Sequence, residues 1–384
     1  MQLLVPTNWD PDLVTPLSKL GDRVQLYGVL PVSMVGSGGS GPAIDYMHTN
    51  QVEEYVERAS SAGLTFDYLL NAPSMSNMEW DEDVHKGLLE HLEWVSSLKV
   101  DSVTVTIPYL MELIKRQFPR LKVRVSTIAH VDSVAKARFY ESLGADSITL
   151  DFNINRDFRL IKAIRAAVKC ELTMLVNNLC LFQCPYEYYH HDTLGHASQS
   201  YNFFNGRYID YCVIRCTLDR LCDISQMIKA RWVRPEDISV YEEMGINVFK
   251  ISGRSMPTER ILNAARAYSA RMWKGNLYDI LNVLAPKSIS IYPELQESLC
   301  SLARSLPEVY IDNEALEGFL GFFEKQDCLS QCHRCKYCNK VAARVIRFSH
   351  EEVECYINLL RTVLDDLSRS RMVRGGAGAR KSCT

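Results

Sequence analysis

DSVTVTIP (Asp101–Pro108), LKVRVSTIA (Leu121–Ala129), DSITLDF (Asp146–Phe152) and ELTMLVNN (Glu171–Asn178) are four short runs rich in Val, Ile, Leu and Thr along the middle of the chain. Amphipathic segments separate them, such as VDSVAKARFYESLG (Val131–Gly144), which ends in the glycine that helix C-termini favour. Strand-length runs alternating with helical patterns indicate repeated strand-helix units and a parallel sheet. The alternation continues outward, through LLVP from Leu3, RVQLYGVLP from Arg23 and TFDYLLNA from Thr65 on one side and INVFKISGR from Ile246 on the other. The segments TNQVEEYVERASSAG and DEDVHKGLLEHLEWVSSL supply further helices.

Eight strands with intervening helices over roughly 250 residues match a TIM-type (β/α)8 barrel. A doubly wound open sheet shares the local pattern, because periodicity does not report closure. The expected organisation is a barrel over 1–275, a C-terminal cysteine-rich helical extension over 276–370 and a flexible tail over 371–384. The helix HEEVECYINLLRTVLDDLSRS belongs to the extension, and the tail's RGGAGARKSCT lacks the apolar content to pack.

The chain's 384 residues, 47% of them hydrophobic, can bury a large core. A formal charge of -3 gives no global basic field, which argues against broad nonspecific nucleic-acid binding while a local basic patch could hold RNA. No apolar run reaches the length of a membrane span, so no membrane partner is expected. MQLLVPTNWD shows no basic stretch followed by an apolar core, so a cytoplasmic location with reduced thiols is expected.

Thirteen cysteines in a reducing compartment are read first as metal ligands or catalysts. Cys180, Cys184, Cys212 and Cys216 form one group, beginning where the seventh strand ends at NNLCLFQCPYEYYHH. Two pairs with three-residue gaps could give four thiolates to a 4Fe-4S cluster or to zinc, and the proline after Cys184 also occurs in ferredoxin-type runs. Cys328, Cys332, Cys335 and Cys338 form the second group, CLSQCHRCKYC. Its last three cysteines follow the ferredoxin rhythm, whereas zinc modules usually separate two pairs by a longer loop, so a second iron-sulfur cluster leads and structural zinc is the alternative. The first three match radical SAM spacing. That match is incidental, because the motif follows the barrel instead of its first strand and has a fourth cysteine. Cys170, Cys222, Cys300, Cys355 and Cys383 stand alone and read as small apolar filler or surface thiols.

A barrel places its chemistry at the C-terminal ends of its strands. The residues there are Asn8, Asn71, His130, Asp151, Asn177, Asn178, Lys250 and Arg254, any of which could instead cap a helix. His190, His191 and His196 follow the first cysteine pair and offer proton transfer near neutral pH. SMVGSGGSGPA from Ser33 lacks the lysine and spacing of a Walker loop; its composition favours a disordered loop over a lid across the mouth.

FKISGR (Phe249–Arg254) resembles the Lys-Ile-x-Gly-Arg strand end of peptidase family U32, the collagenase-like proteins. VSTIAHVDS from Val125 is similar to that family's fifth-strand segment, the asparagine-cysteine stretch ending the seventh strand to its cysteine region, and WVRPEDI fits as well. The resemblance covers most of residues 1–275. It implies a TIM-like barrel carrying a 4Fe-4S cluster on four cysteines, and a family that includes oxygen-independent hydroxylases of a quinone precursor ring or of bases in RNA, with prephenate implicated as oxygen donor. The cysteine spacing here departs from those members, and the second cysteine group has no required counterpart among them.

The leading expectation is therefore an iron-sulfur redox enzyme that hydroxylates or otherwise modifies an organic or RNA substrate without molecular oxygen. Cys180, Cys184, Cys212 and Cys216 would hold the active-site cluster, and the second group would relay electrons. Lys250 and Arg254 would bind an anionic substrate or donor, with His130 or His190 moving protons. A peptidase is the alternative, although no HExxH or comparable motif is present. A noncatalytic iron-sulfur subunit with an obligate protein partner is the third reading, since paired family members work as heterodimers.

Overall fold

A computed structural model describes residues 1–39, 47–202, 208–284, 301–302, 306–326 and 328–369. All eight expected strands are present: β1 (Gln2–Pro6), β2 (Arg23–Gly28), β3 (Thr65–Leu70), β4 (Ser102–Val105), β5 (Lys122–Val125), β6 (Ser147–Thr149), β7 (Glu171–Leu175) and β8 (Val248–Lys250). They are parallel and hydrogen-bonded in sequence order, and β1 closes on β8 with Gln2 opposite Val248 and Leu4 opposite Lys250. The architecture is a closed TIM-type barrel, and the open sheet is excluded.

Local chemistry explains the surrounding helices. Asp81 caps Glu82–Ser97 by accepting from the backbone N–H groups of Asp83 and Val84, and Ser133 caps Val134–Ser142 through that of Lys136. Gly144, at φ +96°, turns the chain from the latter helix towards β6. The helix Phe158–Ala167 buries Phe158, Ile161 and Ile164, one apolar stripe against the barrel. Each such side chain contributes about 1.5–3 kcal/mol.

Inside, the barrel is unusually polar. Asp67, fully buried, accepts from Ser102 Oγ and Thr104 Oγ1, both at 2.5 Å. Arg124 donates to Ser147 at 2.6 Å, to Thr173, and to Gln25 at 3.2 Å. A barrel interior is ordinarily filled with branched apolar layers. Here most of the buried polar groups find partners in one another, Arg124 Nε and Thr149 Oγ1 excepted among the described residues, which leaves charge below the mouth.

The extension is not purely helical. Beside the helices Tyr337–Val345 and His350–Ser368 it contains β9 (Val309–Ile311) and β10 (Ile346–Phe348), paired antiparallel. It also shares the barrel's apolar core. Phe319 stacks on Trp232 with ring centroids 5.5 Å apart, and buried Arg234 donates to Asn313 Oδ1 at 3.1 Å and to the Leu316 carbonyl at 3.0 Å. The expected tail, 371–384, lies outside the described residues, as do Cys300 and Cys383.

Candidate active site at the barrel mouth

Two buried cations stand at the end of β8. Lys250 lies 4.2 Å above the Tyr27 ring and has no ion-pair partner among the described residues. Burial lowers its pKa to about 8, with Arg124 and Arg254 adding to the fall and Asp67 opposing it. Arg254 donates one Nη to Ser37 Oγ at 2.8 Å, while its other Nη is buried with no hydrogen-bond partner among the described residues. A buried guanidinium with one nitrogen unsatisfied and no carboxylate partner among the described residues is costly. It is the feature expected where an anion is to be received.

Beside them stands a histidine–carboxylate group. His130, in left-handed backbone at φ +50°, places Nδ1 3.0 Å from Asp151 Oδ2 and 3.8 Å from Glu187 Oε1. Burial alone would pull its pKa down; the Asp151 hydrogen bond and the Glu187 charge outweigh that, and the net direction is up. Burial, then the Asp151 charge, push Glu187 up to about 7. His191 is lowered to about 3, chiefly by burial, and its Nδ1 lies 2.6 Å from the Gly38 carbonyl oxygen. Since a carbonyl only accepts, Nδ1 carries the proton and Nε2 keeps its lone pair. His190 Nε2 lies 3.2 Å from Asp210 Oδ1. His196 sits further out on the same helix, half-exposed and beside Ser76 and Asp192.

The glycine-rich loop joins these two groups. In its described part, 33–39, Val35 and Ser37 are fully buried, the Ser37 N–H donates to Ser198 Oγ at 2.8 Å, and Ser33 bridges to Gln199. The disordered loop expected from composition is overturned for this part; residues 40–43 lie outside the described set. Its small residues serve close packing. Gly36, at φ +77°, would bring a Cβ to 2.8 Å from the Gly195 carbonyl oxygen.

The other strand-end candidates have structural partners. Asn8 donates to the Met256 carbonyl at 3.2 Å and Thr258 Oγ1 at 3.0 Å, and Asn177 Oδ1 accepts from the Ser252 N–H at 2.7 Å. Asn178 Oδ1 accepts from the Cys180 N–H at 3.3 Å, steering the first cysteine. Asn71 donates to Ser126 Oγ at 3.3 Å.

The first four cysteines converge from two elements. Cys180 and Cys184 lie in the loop after β7, Cys212 and Cys216 on the buried face of the helix Tyr211–Cys222. They are close enough to raise one another's pKa values, although burial dominates and pushes Cys184 and Cys212 up to about 12. Glu187 contributes to the rise at Cys180 and Cys184, which puts the histidine–carboxylate group next to the sulfurs. In the extension, Cys328, Cys332, Cys335 and Cys338 line one pocket with Phe322 and Phe323, and the Tyr337 N–H donates to Cys335 Sγ at 3.5 Å. All eight thiols are free. Among the described residues no three of these sulfurs lie within 4.8 Å of one another. A single tetrahedral zinc, with Zn–S of about 2.3 Å, would hold its sulfurs about 3.8 Å apart. Donor sets made only of thiols suit a 4Fe-4S cluster and a four-thiolate zinc alike.

A chain of aromatic and cationic groups spans the two cysteine groups. Phe182, between Cys180 and Cys184, lies under the Arg231 guanidinium at 3.7 Å; Arg231 is 5.8 Å from the Phe323 ring, and Phe323 lines the second pocket. Arg156 completes the packing at 4.6 Å over Trp232 and 4.7 Å over Phe319. The sequence reading missed Glu187, Tyr27, Arg156 and Arg231. Only Glu187 had a signal, its position three residues after Cys184.

Fold and site together define a class: a closed parallel barrel with cysteine-rich groups above and beside its mouth. The particular family follows from direct comparison, since residues 45–276 match the model of peptidase family U32, and the chain belongs to that family. It is 32% identical over 318 residues to the uncharacterized protease MJ1657 of Methanocaldococcus jannaschii, covering 81% of this chain and 86% of that protein. Among solved structures it is similar to the U32 peptidase Mk0906, at 25% identity and a TM-score of 0.49 over 67% of this chain and 93% of that one. Among the described residues no helix is long and apolar enough to cross a membrane.

Proposed function

We propose that this U32 protein is an iron-sulfur-dependent redox enzyme that hydroxylates or otherwise modifies an anionic organic substrate, or a base in RNA, without molecular oxygen. The observation that carries the reading is a convergent all-thiol quartet beside the histidine–carboxylate group at the mouth of a barrel whose two buried cations have no carboxylate partner among the described residues. A 4Fe-4S cluster on Cys180, Cys184, Cys212 and Cys216 would supply one-electron chemistry or an open iron. A second cluster on Cys328, Cys332, Cys335 and Cys338 would relay electrons towards it.

The protein's own residues set the rest. Arg254 and Lys250 hold the anionic group, the first through its free Nη and the second as a point charge. The packed loop at Ser37–Gly39 positions Arg254 and keeps bulk water from that side. His130 and His190, each beside a carboxylate, hold and move protons. Tyr188, 71% exposed with its ring 4.6 Å from that of His130, offers a face to a planar ring. The peptidase reading suggested by the relatives' names is disfavoured, because burial raises the thiol pKa values, the opposite of what a cysteine nucleophile needs.

The test is the content of iron, acid-labile sulfide and zinc, with an absorption spectrum, on protein purified without oxygen. About four irons and four sulfides per chain are expected for one cluster and twice that for two. Zinc without sulfide, or peptide cleavage that survives iron chelation, would overturn the proposal.

A further inference from the structure

The carboxylate of Glu187 poses a problem that the iron-sulfur reading does not solve. The side chain is 8% exposed, and its Oε1 is buried with no hydrogen-bond partner among the described residues. Such an orphan acceptor carries a desolvation cost of about 1–3 kcal/mol, more when charged. Its other oxygen is satisfied, since Oε2 accepts from Asn153 Nδ2 at 3.2 Å. Oε1 therefore has ring nitrogens beside it but no hydrogen-bond donor among the described residues.

What it faces is a set of donor atoms. His130 Nδ1 lies 3.8 Å from Oε1, His191 Nε2 4.0 Å from it, and Asp151 Oδ2 3.0 Å from His130 Nδ1. One ligand atom each from His130, Asp151 and Glu187 falls within 4.8 Å of the other two. An ion about 2.1 Å from each donor sets neighbouring donors about 3.0 Å and opposite donors about 4.2 Å apart, and the separations of 3.0 and 3.8 Å from His130 Nδ1 to Asp151 and Glu187 lie within that range.

Each orienting contact is also in place. His191 gives its Nδ1–H to the Gly38 carbonyl, which leaves Nε2 as an acceptor aimed at the group. Asp151 Oδ1 accepts the Asn153 N–H at 2.7 Å, freeing Oδ2 to point inward. Asn153 thus holds both carboxylates by their outer oxygens, and its own Oδ1 accepts from the Gln183 N–H at 2.9 Å in the first cysteine loop. Ligand histidines and carboxylates are ordinarily fixed in this way through the atoms that do not touch the metal.

We infer that His130, Asp151 and Glu187 form a second kind of metal site, a mononuclear divalent transition-metal site of one imidazole and two carboxylates, separate from the cysteine groups, with His191 beside it. Nitrogen and carboxylate oxygen donors suit Mn(II), Fe(II) or Zn(II), in contrast to the all-thiol sites. Binding replaces the proton that His130 Nδ1 shares with Asp151, and that proton passes to solvent. With an ion bound, His130 becomes a ligand, and proton transfer in the proposed reaction falls to His190. The inference stands on these three residues alone and does not depend on an iron-sulfur cluster being present.

The experiment titrates Mn(II) into full-length protein purified without oxygen, following free Mn(II) by electron paramagnetic resonance and measuring iron separately. Manganese is chosen because thiolates compete poorly for it. One Mn(II) per chain is expected, with nitrogen modulation from imidazole in the bound signal. At least a tenfold loss of affinity is expected in Glu187→Gln and in Asp151→Asn at unchanged iron content. No uptake at about 1 mM Mn(II), in the millimolar range where only the weakest complexes form, would overturn the inference. So would bound manganese without nitrogen modulation, a readout on the unaltered protein that needs no variant to fold. Manganese bound to protein that holds no iron or sulfide would count against the iron-sulfur reading alone.

Discussion

Lys250 shows how a single residue ties binding to stability. Burial lowers its pKa from the ordinary lysine value to about 8. Between about 8 and 10.4 the unfolded chain therefore holds a proton that the folded protein has released, so stability rises with pH across that window. Below about 8 the charged amine is a net cost to the fold. Two consequences are expected. Lys250→Met raises the melting temperature by a few degrees at pH 7, measured by differential scanning calorimetry, because the desolvation cost disappears. The same variant loses at least tenfold in affinity for an aromatic carboxylate such as benzoate, measured by isothermal titration, because the point charge that meets the anion is gone. In the unaltered protein that affinity falls as pH rises through about 8, since the lysine then loses its charge. A flat pH profile from 7 to 9.5 would remove Lys250 from the anion site.

At the scale of elements, the glycine-rich loop and the helix Glu187–Ala197 behave as one piece. Ser198 Oγ, just past the helix, accepts from the Ser37 N–H at 2.8 Å and donates to the Leu194 carbonyl at 2.8 Å. Ser198→Ala strands the Ser37 N–H and is expected to cost about 1–2 kcal/mol, with faster amide exchange confined to residues 33–39. Glycine substitutions separate two effects. A Cβ at Gly36 meets the Gly195 carbonyl and Ser198 Oγ, both at 2.8 Å, in left-handed backbone, so Gly36→Ala destabilises by more than 1 kcal/mol. A Cβ at Gly39 meets the side-chain end of Arg254, at 2.9 Å from the nitrogen that donates to Ser37, with Ser37 Oγ at an ordinary 3.9 Å and no backbone atom in the way. Gly39→Ala should keep its melting temperature within a degree or two and still bind the carboxylate more weakly, because the guanidinium must move. Equal melting temperatures for the two variants would show that the loop is not clamped as described.

Over the whole molecule, what was legible in the sequence was what local pattern encodes. The eight strands could be read because strands of a parallel barrel are buried on both faces and stand out as apolar runs. Closure could not, since the pairing of β1 with β8 joins residues about 250 positions apart. The cysteines declared themselves by spacing, and Lys250 and Arg254 by standing at a strand end. Glu187 did not, because a glutamate opening a helix normally faces water, and only the folded position of Asn153 brings it inside. The short strands of the extension were hidden for another reason: Ile346–Phe348 follows directly on a helix, and three residues carry no period. The same long-range packing makes the extension part of the barrel's stability. Phe319 covers Trp232 and Arg156, and truncation to alanine at such a position costs about 3–5 kcal/mol. Ending the chain after residue 284 removes Phe319, Phe323 and the Arg234 partner Asn313 together, stripping Arg156 of two of its three aromatic neighbours and Arg234 of its Asn313 and Leu316 acceptors. The truncated protein is expected to aggregate or melt more than 10 °C below the full chain, by circular dichroism, since these losses rival the whole stability of a domain. Cys335→Ser with Cys338→Ser in the full chain, by contrast, should melt near the parent's temperature and lose about half of its iron. A truncated barrel as stable as the full chain would make the extension an independent domain, with its cysteines an accessory to the barrel and no part of its fold.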